Sequence, residues 1–368
     1  MGKIRVLVVD DSVVVRRLLS DGIARDPALE VVGTASHGGI ALKKLPALNP
    51  DVVTMDIEMP EMDGLTALAE IRKTDRKLPV VMVSSLTERG AVATLDALAL
   101  GATDYVTKPS AVAGAAGQEA MLAELIAKLK AFGGRHLGTG NRFATPARAA
   151  RPSSLASGGA RRRIDVVAIG ISTGGPNALA AMIPQIPAGF PVPIVIVQHM
   201  PPLFTKLLAD RLAARAVIAV KEGAAGDRLQ PGTAYIAPGN HHMLVRRVGP
   251  SATIVLEQGP PENSCRPAAD VLFRSVADVY GAGVLAVVMT GMGQDGLAGS
   301  GIIRDRGGQV LVQDEESSVV WGMPGFVVEA GLADEVLSLE ALAPAIVRRA
   351  AFGRASPPAA LGGVGGRG

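Results

Sequence analysis

Three segments in the second half of the chain each offer a side chain suited to hydrolysis, and each follows an apolar run. Gly170-Ile171-Ser172-Thr173-Gly174-Gly175 presents an alcohol after Ile164–Ile169. Val197-Gln198-His199-Met200-Pro201 presents an imidazole after Ile194–Val197. Met289-Thr290-Gly291-Met292-Gly293-Gln294-Asp295-Gly296 presents a carboxylate after Val284–Met289. If those runs are neighbouring parallel strands, Ser172, His199 and Asp295 emerge together at the carboxyl edge, where open α/β sheets bind ligands. A serine alcohol is a poor nucleophile until an imidazole takes its proton and an acid orients that imidazole. Gly170-x-Ser172-x-Gly174 has the form of a nucleophile elbow, and Pro176 suits a helix start. The free N–H groups near Thr173–Gly175 would then favour an oxyanion. A dinucleotide-binding turn fits less well: the glycine spacing differs, and Gln198-His199 stands where a ribose-binding strand would end in an acid.

The first half offers different chemistry. Asp10 and Asp11 follow one apolar run, Asp56 and Ser84 end two others, and Lys108 follows a fourth. In a parallel sheet all five share the carboxyl edge. Three carboxylates there repel one another unless a cation neutralises them, and oxygen ligands alone suit Mg²⁺. The lysine and the hydroxyl could hold a phosphoryl group on one of the aspartates.

The elements that must position these groups are legible in outline. The 368 residues, 48% of them hydrophobic, suffice for two or three cores. Short strand–helix alternation over 1–132 and again over 164–352 predicts an α/β protein with two doubly wound parallel sheets. The last helix of the first unit is expected over 118–132, and hairpin-like pieces around 232–257. Residues 133–163 hold seven arginines and no acid, lose periodicity, and read as a flexible linker reaching roughly 30 Å. The Gly/Pro/Ala-rich tail, 353–368, is expected to be disordered. Net charge is only +3 and lies in the linker, so no nucleic-acid-binding domain is expected. One cysteine, Cys265, excludes an internal disulfide and fits a reducing compartment. No signal pattern opens the chain and no run reaches the roughly 18 apolar residues of a span, so no membrane insertion and a cytoplasmic location are expected. His241-His242, adjacent and facing opposite ways in a strand, are not expected to share a metal. Cys265 would be a nucleophile only if a base reached it, and nothing in the sequence places one there.

Residues 1–131 resemble a response-regulator receiver domain, through Val-Val-Asp10-Asp11-Ser, Met-Asp56-Ile-Glu-Met-Pro-Glu-Met-Asp-Gly, Ser84-Ser and Asp-Tyr105-Val-Thr-Lys108-Pro109. The resemblance implies a flavodoxin-like fold and Asp56 as phospho-acceptor. It makes Asp10, Asp11, Asp56 and the backbone carbonyl of Glu58 ligands for Mg²⁺. Ser84 and Tyr105 become the switch, and Lys108 the phosphate contact. Residues 164–350 are similar to the catalytic domain of chemotaxis-type protein-glutamate methylesterases. Besides the three segments above, Ala-Pro-Gly239-Asn-His-His242-Met and Arg266-Pro-Ala-Ala-Asp270-Val-Leu-Phe match. Ile171 and Ala268 depart from the family's usual Ala and Ser. This second resemblance implies a Rossmann-like hydrolytic domain with Ser172, His199 and Asp295 as triad. It puts Thr173 and the N–H of Met292 near the oxyanion, and needs no cofactor for hydrolysis. Together the two imply a monomeric hydrolase of γ-glutamyl methyl esters, and of glutamine amides, on methyl-accepting chemotaxis receptors. A chemotaxis histidine kinase would supply phosphate, and the receiver would dock over the hydrolytic cleft. A scaffold without hydrolysis, or a DNA-binding output, are the alternatives. An intact triad argues against the first, and the missing helix-turn-helix pattern against the second.

Overall fold

The computed structural model describes residues 2–109, 114–136 and 162–354. The first unit alternates β1 (Ile4–Val9), α1 (Val13–Ala24), β2 (Leu29–Ala35), α2 (Gly38–Leu48), β3 (Val52–Asp56), α3 (Gly64–Thr74), β4 (Val80–Ser84), α4 (Glu88–Ala99), β5 (Asp104–Thr107) and α5 (Gly114–His136). Its sheet is parallel in the order β2-β1-β3-β4-β5. The central strands β3 and β4 are wholly buried and mostly apolar because helices cover both faces. Local capping starts the helices: Asp63 and Thr87 accept hydrogen bonds from the N–H groups of Thr66 and Gly90.

Helix α5 outruns its expected bounds at both ends. Met121, Leu122, Leu125, Leu129 and Phe132 form its buried stripe. Gly133, expected to begin the linker, instead packs on the first strand: a Cβ there would lie 2.2 Å from Ile4 Cγ2. Missing side chains allow a close helix–strand approach, so the glycine continues the helix. Residues 137–161 of the expected linker and 355–368 of the expected tail lie outside the described residues.

The second unit runs β6 (Val166–Ile171), α6 (Gly175–Met182), β7 (Ile194–Gln198), α7 (Phe204–Ala213), β8 (Ala219–Glu222), β9 (Thr233–Ile236), β10 (His242–Val248), β11 (Ser251–Glu257), α8 (Ala269–Tyr280), β12 (Val284–Val288), α9 (Leu297–Asp305), β13 (Gln309–Gln313), α10 (Met323–Glu329), β14 (Glu335–Leu337) and α11 (Leu339–Ala351). Seven parallel strands form one sheet, β14-β13-β12-β6-β7-β9-β8. The serine strand β6 therefore lies between the aspartate strand β12 and the histidine strand β7. The hairpin-like stretch resolves into parallel β9 and an antiparallel pair, β10 and β11, outside the main sheet.

The two units touch through α4 and β5 of the first and α6 and α7 of the second. Asn177 donates to the Leu98 carbonyl at 2.9 Å, and Arg211 pairs with Asp96 at 2.7 Å. The Tyr105 and Phe204 rings stack 5.2 Å apart and nearly coplanar. Helices α6 and α7 leave the strands that carry Ser172 and His199, so this contact abuts the hydrolytic edge. Among the described residues, no helix is long and apolar enough to cross a membrane.

Gly239, in the loop after β9, presses on the chain just beyond His199: a Cβ would lie 2.2 Å from Pro202 N. Two rigid prolines leave little room to yield. Gly239→Ala is expected to destabilise the protein by about 1–3 kcal/mol, the usual cost of overpacking. An unchanged urea midpoint would contradict that.

Candidate active site

In the first unit, β1, β3 and β5 deliver Asp10, Asp11, Asp56 and Lys108 to one edge. One carboxylate oxygen from each aspartate falls within 4.8 Å of the others. Lys108 Nζ donates to Asp56 Oδ2 at 2.7 Å and lies 3.1 Å from Asp10 Oδ2. The second contact is an ion pair without hydrogen-bond alignment, so Asp10 Oδ2 is buried with no hydrogen-bond partner. Burial pushes the Asp56 carboxyl up to about 6, although Lys108 pulls the other way. A cavity of about 210 Å³ opens beside it, lined by Asp11, Glu58, Ser84 and Lys108 among others. An all-oxygen donor set of three clustered carboxylates fits a small hard cation such as Mg²⁺. Ser84 Oγ donates to the Gly90 carbonyl and accepts from Thr94 Oγ1 at 2.6 Å. Tyr105 is buried against Phe204.

In the second unit the sheet register does the assembling. Ile171 pairs with Gln198, and His199 N–H donates to the Ile171 carbonyl, so Ser172 and His199 leave adjacent strands side by side. Gln198 Nε2 bonds the Ser172 carbonyl at 2.9 Å and helps hold the turn. On the other flank the Ser172 N–H donates to the Thr290 carbonyl. Gly291 packs so closely that its Cβ would lie 2.8 Å from Ser172 Cβ. The N–H groups of Thr173 and Met292 donate to no group among the described residues. Gly174, at φ 79°, turns the chain into α6 as the elbow pattern requires.

Asp295 is almost wholly buried and heavily satisfied. Its Oδ2 accepts from Ala269 N–H at 2.5 Å and contacts His199 Nε2 at 2.7 Å. Its Oδ1 accepts from the N–H groups of Asp270 and Gly296 and from Asn263 Nδ2 at 3.1 Å. Ala268, the N-cap of α8, has no capping side chain. Asp295 supplies that cap from across the sheet, a carboxylate at the positive end of a helix. Burial pushes its carboxyl up, but His199 and the N–H donors win, and it lies below the ordinary range. Burial pulls His199 down; Asp295, then Cys265, outweigh it and raise the imidazole to about 10.

The structure brings His199 and Asp295 into contact and sets Ser172 beside them, but no hydrogen bond joins the Ser172 hydroxyl to the ring. The ring's Nδ1 instead meets Cys265 Sγ at 3.4 Å. The sequence reading did not name Asn263, and it left Cys265 without a partner. Asn263 bridges Asp295 and the buried Asp270, and Cys265 has the base that nothing in the sequence placed beside it. Both lie on a loop without periodicity, and only their proximity to Arg266-Pro267 could have drawn notice. His241 and His242 bond separate carbonyls, of Gly239 and Pro260, and share no ligand geometry.

Residues 167–346 match the family model for the CheB methylesterase, and residues 6–114 that for the response regulator receiver domain. A protein-glutamate methylesterase/protein-glutamine glutaminase of Trichodesmium erythraeum is 51% identical over 350 residues, covering 95% of this chain and 99% of its own. A relative of the same name from a Nocardioides species is 50% identical over 370 residues, covering 97% and 98%. The crystal structure of the Thermotoga maritima CheB methylesterase catalytic domain matches with a TM-score of 0.50 and 41% identity. That match covers 51% of this chain and 99% of that one.

A base must be neutral to take a proton, and the His199 imidazole, raised to about 10, is charged at neutral pH. Labelling of Ser172 by a serine-directed phosphonate should therefore accelerate as pH rises from 7 towards 10. A rate flat across that window would show that His199 is not the base.

Proposed function

The chain belongs to the protein-glutamate methylesterase/protein-glutamine glutaminase family, and on that premise we propose that it demethylates γ-glutamyl methyl esters and deamidates glutamines on methyl-accepting chemotaxis receptors, under control of its own receiver. The observation that carries the reading is the His199–Asp295 contact at the carboxyl ends of β7 and β12, with Ser172 at the same end of the strand β6 between them.

Ser172 Oγ attacks the ester carbonyl carbon, and His199 takes its proton. Because Asp295 holds Nε2, the accepting nitrogen is Nδ1. The carbonyl oxygen, now anionic, accepts from the free N–H groups of Thr173 and Met292 near the α6 N-terminus. Collapse of the tetrahedral adduct breaks the ester C–O bond, and His199 returns the proton to the departing methoxide, releasing methanol. Water, deprotonated by the same nitrogen, then attacks the acyl-serine and regenerates Ser172 with a free glutamate. With a glutamine side chain the leaving group is ammonia and the acyl half is unchanged. Asp295 keeps the imidazolium stabilised throughout and stays ionised. The hydrolysis needs no cofactor.

In the receiver, Asp56 takes the phosphoryl group from a chemotaxis histidine kinase. Asp10, Asp11, Asp56 and the Glu58 carbonyl would hold Mg²⁺, which neutralises charge at the acceptor. Lys108, already bonded to Asp56, is placed to contact the phosphate, and Ser84 and Tyr105 to respond. Phosphorylation replaces the carboxylate by a doubly charged acyl phosphate, a gain of about one negative charge at that edge, and biases the face, α4 and β5, that touches α6 and α7. A docked receiver inhibits and a released one does not. A short tether raises the effective concentration to about millimolar, so a weak contact suffices. The chain acts as a cytoplasmic monomer in this reading, a placement that rests on the resemblance.

Two experiments test it on methylated receptor membranes. Ser172→Ala should abolish methanol release while Asp56 still accepts phosphate; full turnover in that variant would end the nucleophile assignment. Deleting residues 1–140 should raise basal release about tenfold. A truncated domain no faster than the unphosphorylated whole would count against inhibition by docking.

A further inference from the structure

Both nitrogens of His199 are engaged, and Ser172 has neither. Asp295 holds Nε2 at 2.7 Å, while Cys265 Sγ stands 3.4 Å from Nδ1, the nitrogen that must take the serine proton. We propose that Cys265 is a positioning residue that occupies the proton-accepting edge of His199 in the resting chain, in competition with the Ser172 hydroxyl. This rests on the hydrolase reading above and adds to it a control that operates inside the site.

The loop that carries the thiol is built to hold it there. Asn263 and Ser264 are consecutive non-glycine residues in the left-handed region, at φ 51° and 62°. Asn tolerates that conformation and Ser does so less readily, so the surroundings must hold them in it. Glu262 and Cys265 exchange both backbone hydrogen bonds, at 3.0 and 2.9 Å, closing the loop. The Glu262 carboxylate takes a two-pronged grip from Arg274, at 2.6 and 2.5 Å. Asn263 Nδ2 reaches Asp270 at 2.9 Å and Asp295 at 3.1 Å. The loop is therefore tied to α8 and to the carboxylate partner of the very imidazole it caps.

The charged and titratable groups around the ring come from three elements. Asp295 follows β12; Glu262 and Cys265 lie on the loop; Asp270 and Arg274 stand on α8. Of these, Asp295 and Cys265 touch the ring, and both favour its protonated form. A proton on Nδ1 shared with sulfur leaves no lone pair for Ser172. Sulfur is a weak hydrogen-bond partner, so substrate arrival can displace it at small cost.

The test is the rate of Ser172 labelling by a serine-directed phosphonate, followed against pH in the full, unphosphorylated chain. Cys265→Ala should move the acidic limb of the profile down by about one pH unit, with labelling at pH 7 about tenfold faster. Cys265→Ser keeps nearly the same volume, but its shorter C–O bond draws the hydroxyl back from Nδ1, so its limb should also move down, by less. That variant preserves the test if the alanine chain does not fold. A limb that stays at the wild-type pH in either folded variant overturns the role, whether or not the plateau rate falls; a packing role alone would lower the plateau and leave the limb in place. A wild-type chain unlabelled at every pH would overturn the hydrolase reading itself, and this role with it.

Discussion

A carboxylate that is 1% exposed keeps its charge only when donors replace its water, and Asp295 is ringed by them. Three backbone N–H groups, one side-chain amide and the His199 ring converge on its two oxygens. Two of those N–H groups open α8, so the carboxylate that holds His199 is also the cap of a major helix. The arrangement ties chemistry to architecture. Moving α8 would strip the donors that keep Asp295 ionised, and an uncharged Asp295 would no longer hold His199 in one orientation. The same carboxylate lends the imidazole much of its raised affinity for a proton.

The coupling between the two units is of a different kind. Arg211–Asp96 is partly exposed and adds little by itself, as surface ion pairs generally do. The Tyr105–Phe204 stack is better shielded. Tyr105 is backed within the receiver by Lys128, which bonds its carbonyl at 2.6 Å and lies 5.3 Å from its ring. On the other side, Phe204 opens α7 five positions beyond His199. Buried apolar side chains of both units, the two rings among them, run together in one continuous cluster.

The acidic edge of the receiver shows how much one lysine can offset. Asp10, Asp11 and Asp56 cluster although like charges repel, and Lys108 reaches two of the three. Burial nevertheless outweighs the lysine at Asp56. Three carboxylates against one lysine leave this edge net negative, a balance that a small hard cation would offset.

From the residues alone, the two parallel sheets, their buried strands and the strand-end groups Ser172, His199, Asp295, Asp10, Asp11, Asp56 and Lys108 were all readable. Apolar runs between helical patterns dictate a parallel sheet, and such a sheet sends its strand ends to one edge. That rule acts locally, so sequence suffices for it. What the sequence left open depends on register, loop path and packing between distant segments. The true extent of α5 was hidden because Gly133 looks like a helix end until Ile4 is seen against it. The strand order that puts β6 between β12 and β7 came only from the folded sheet. Asn263 and Cys265 sit on an aperiodic loop, and nothing along the chain indicates that it folds back onto Asp295 and His199. Which nitrogen of His199 faces the acid, and what meets the other, is a matter of a few ångströms between residues 66 to 96 positions apart, and only three-dimensional packing sets such distances.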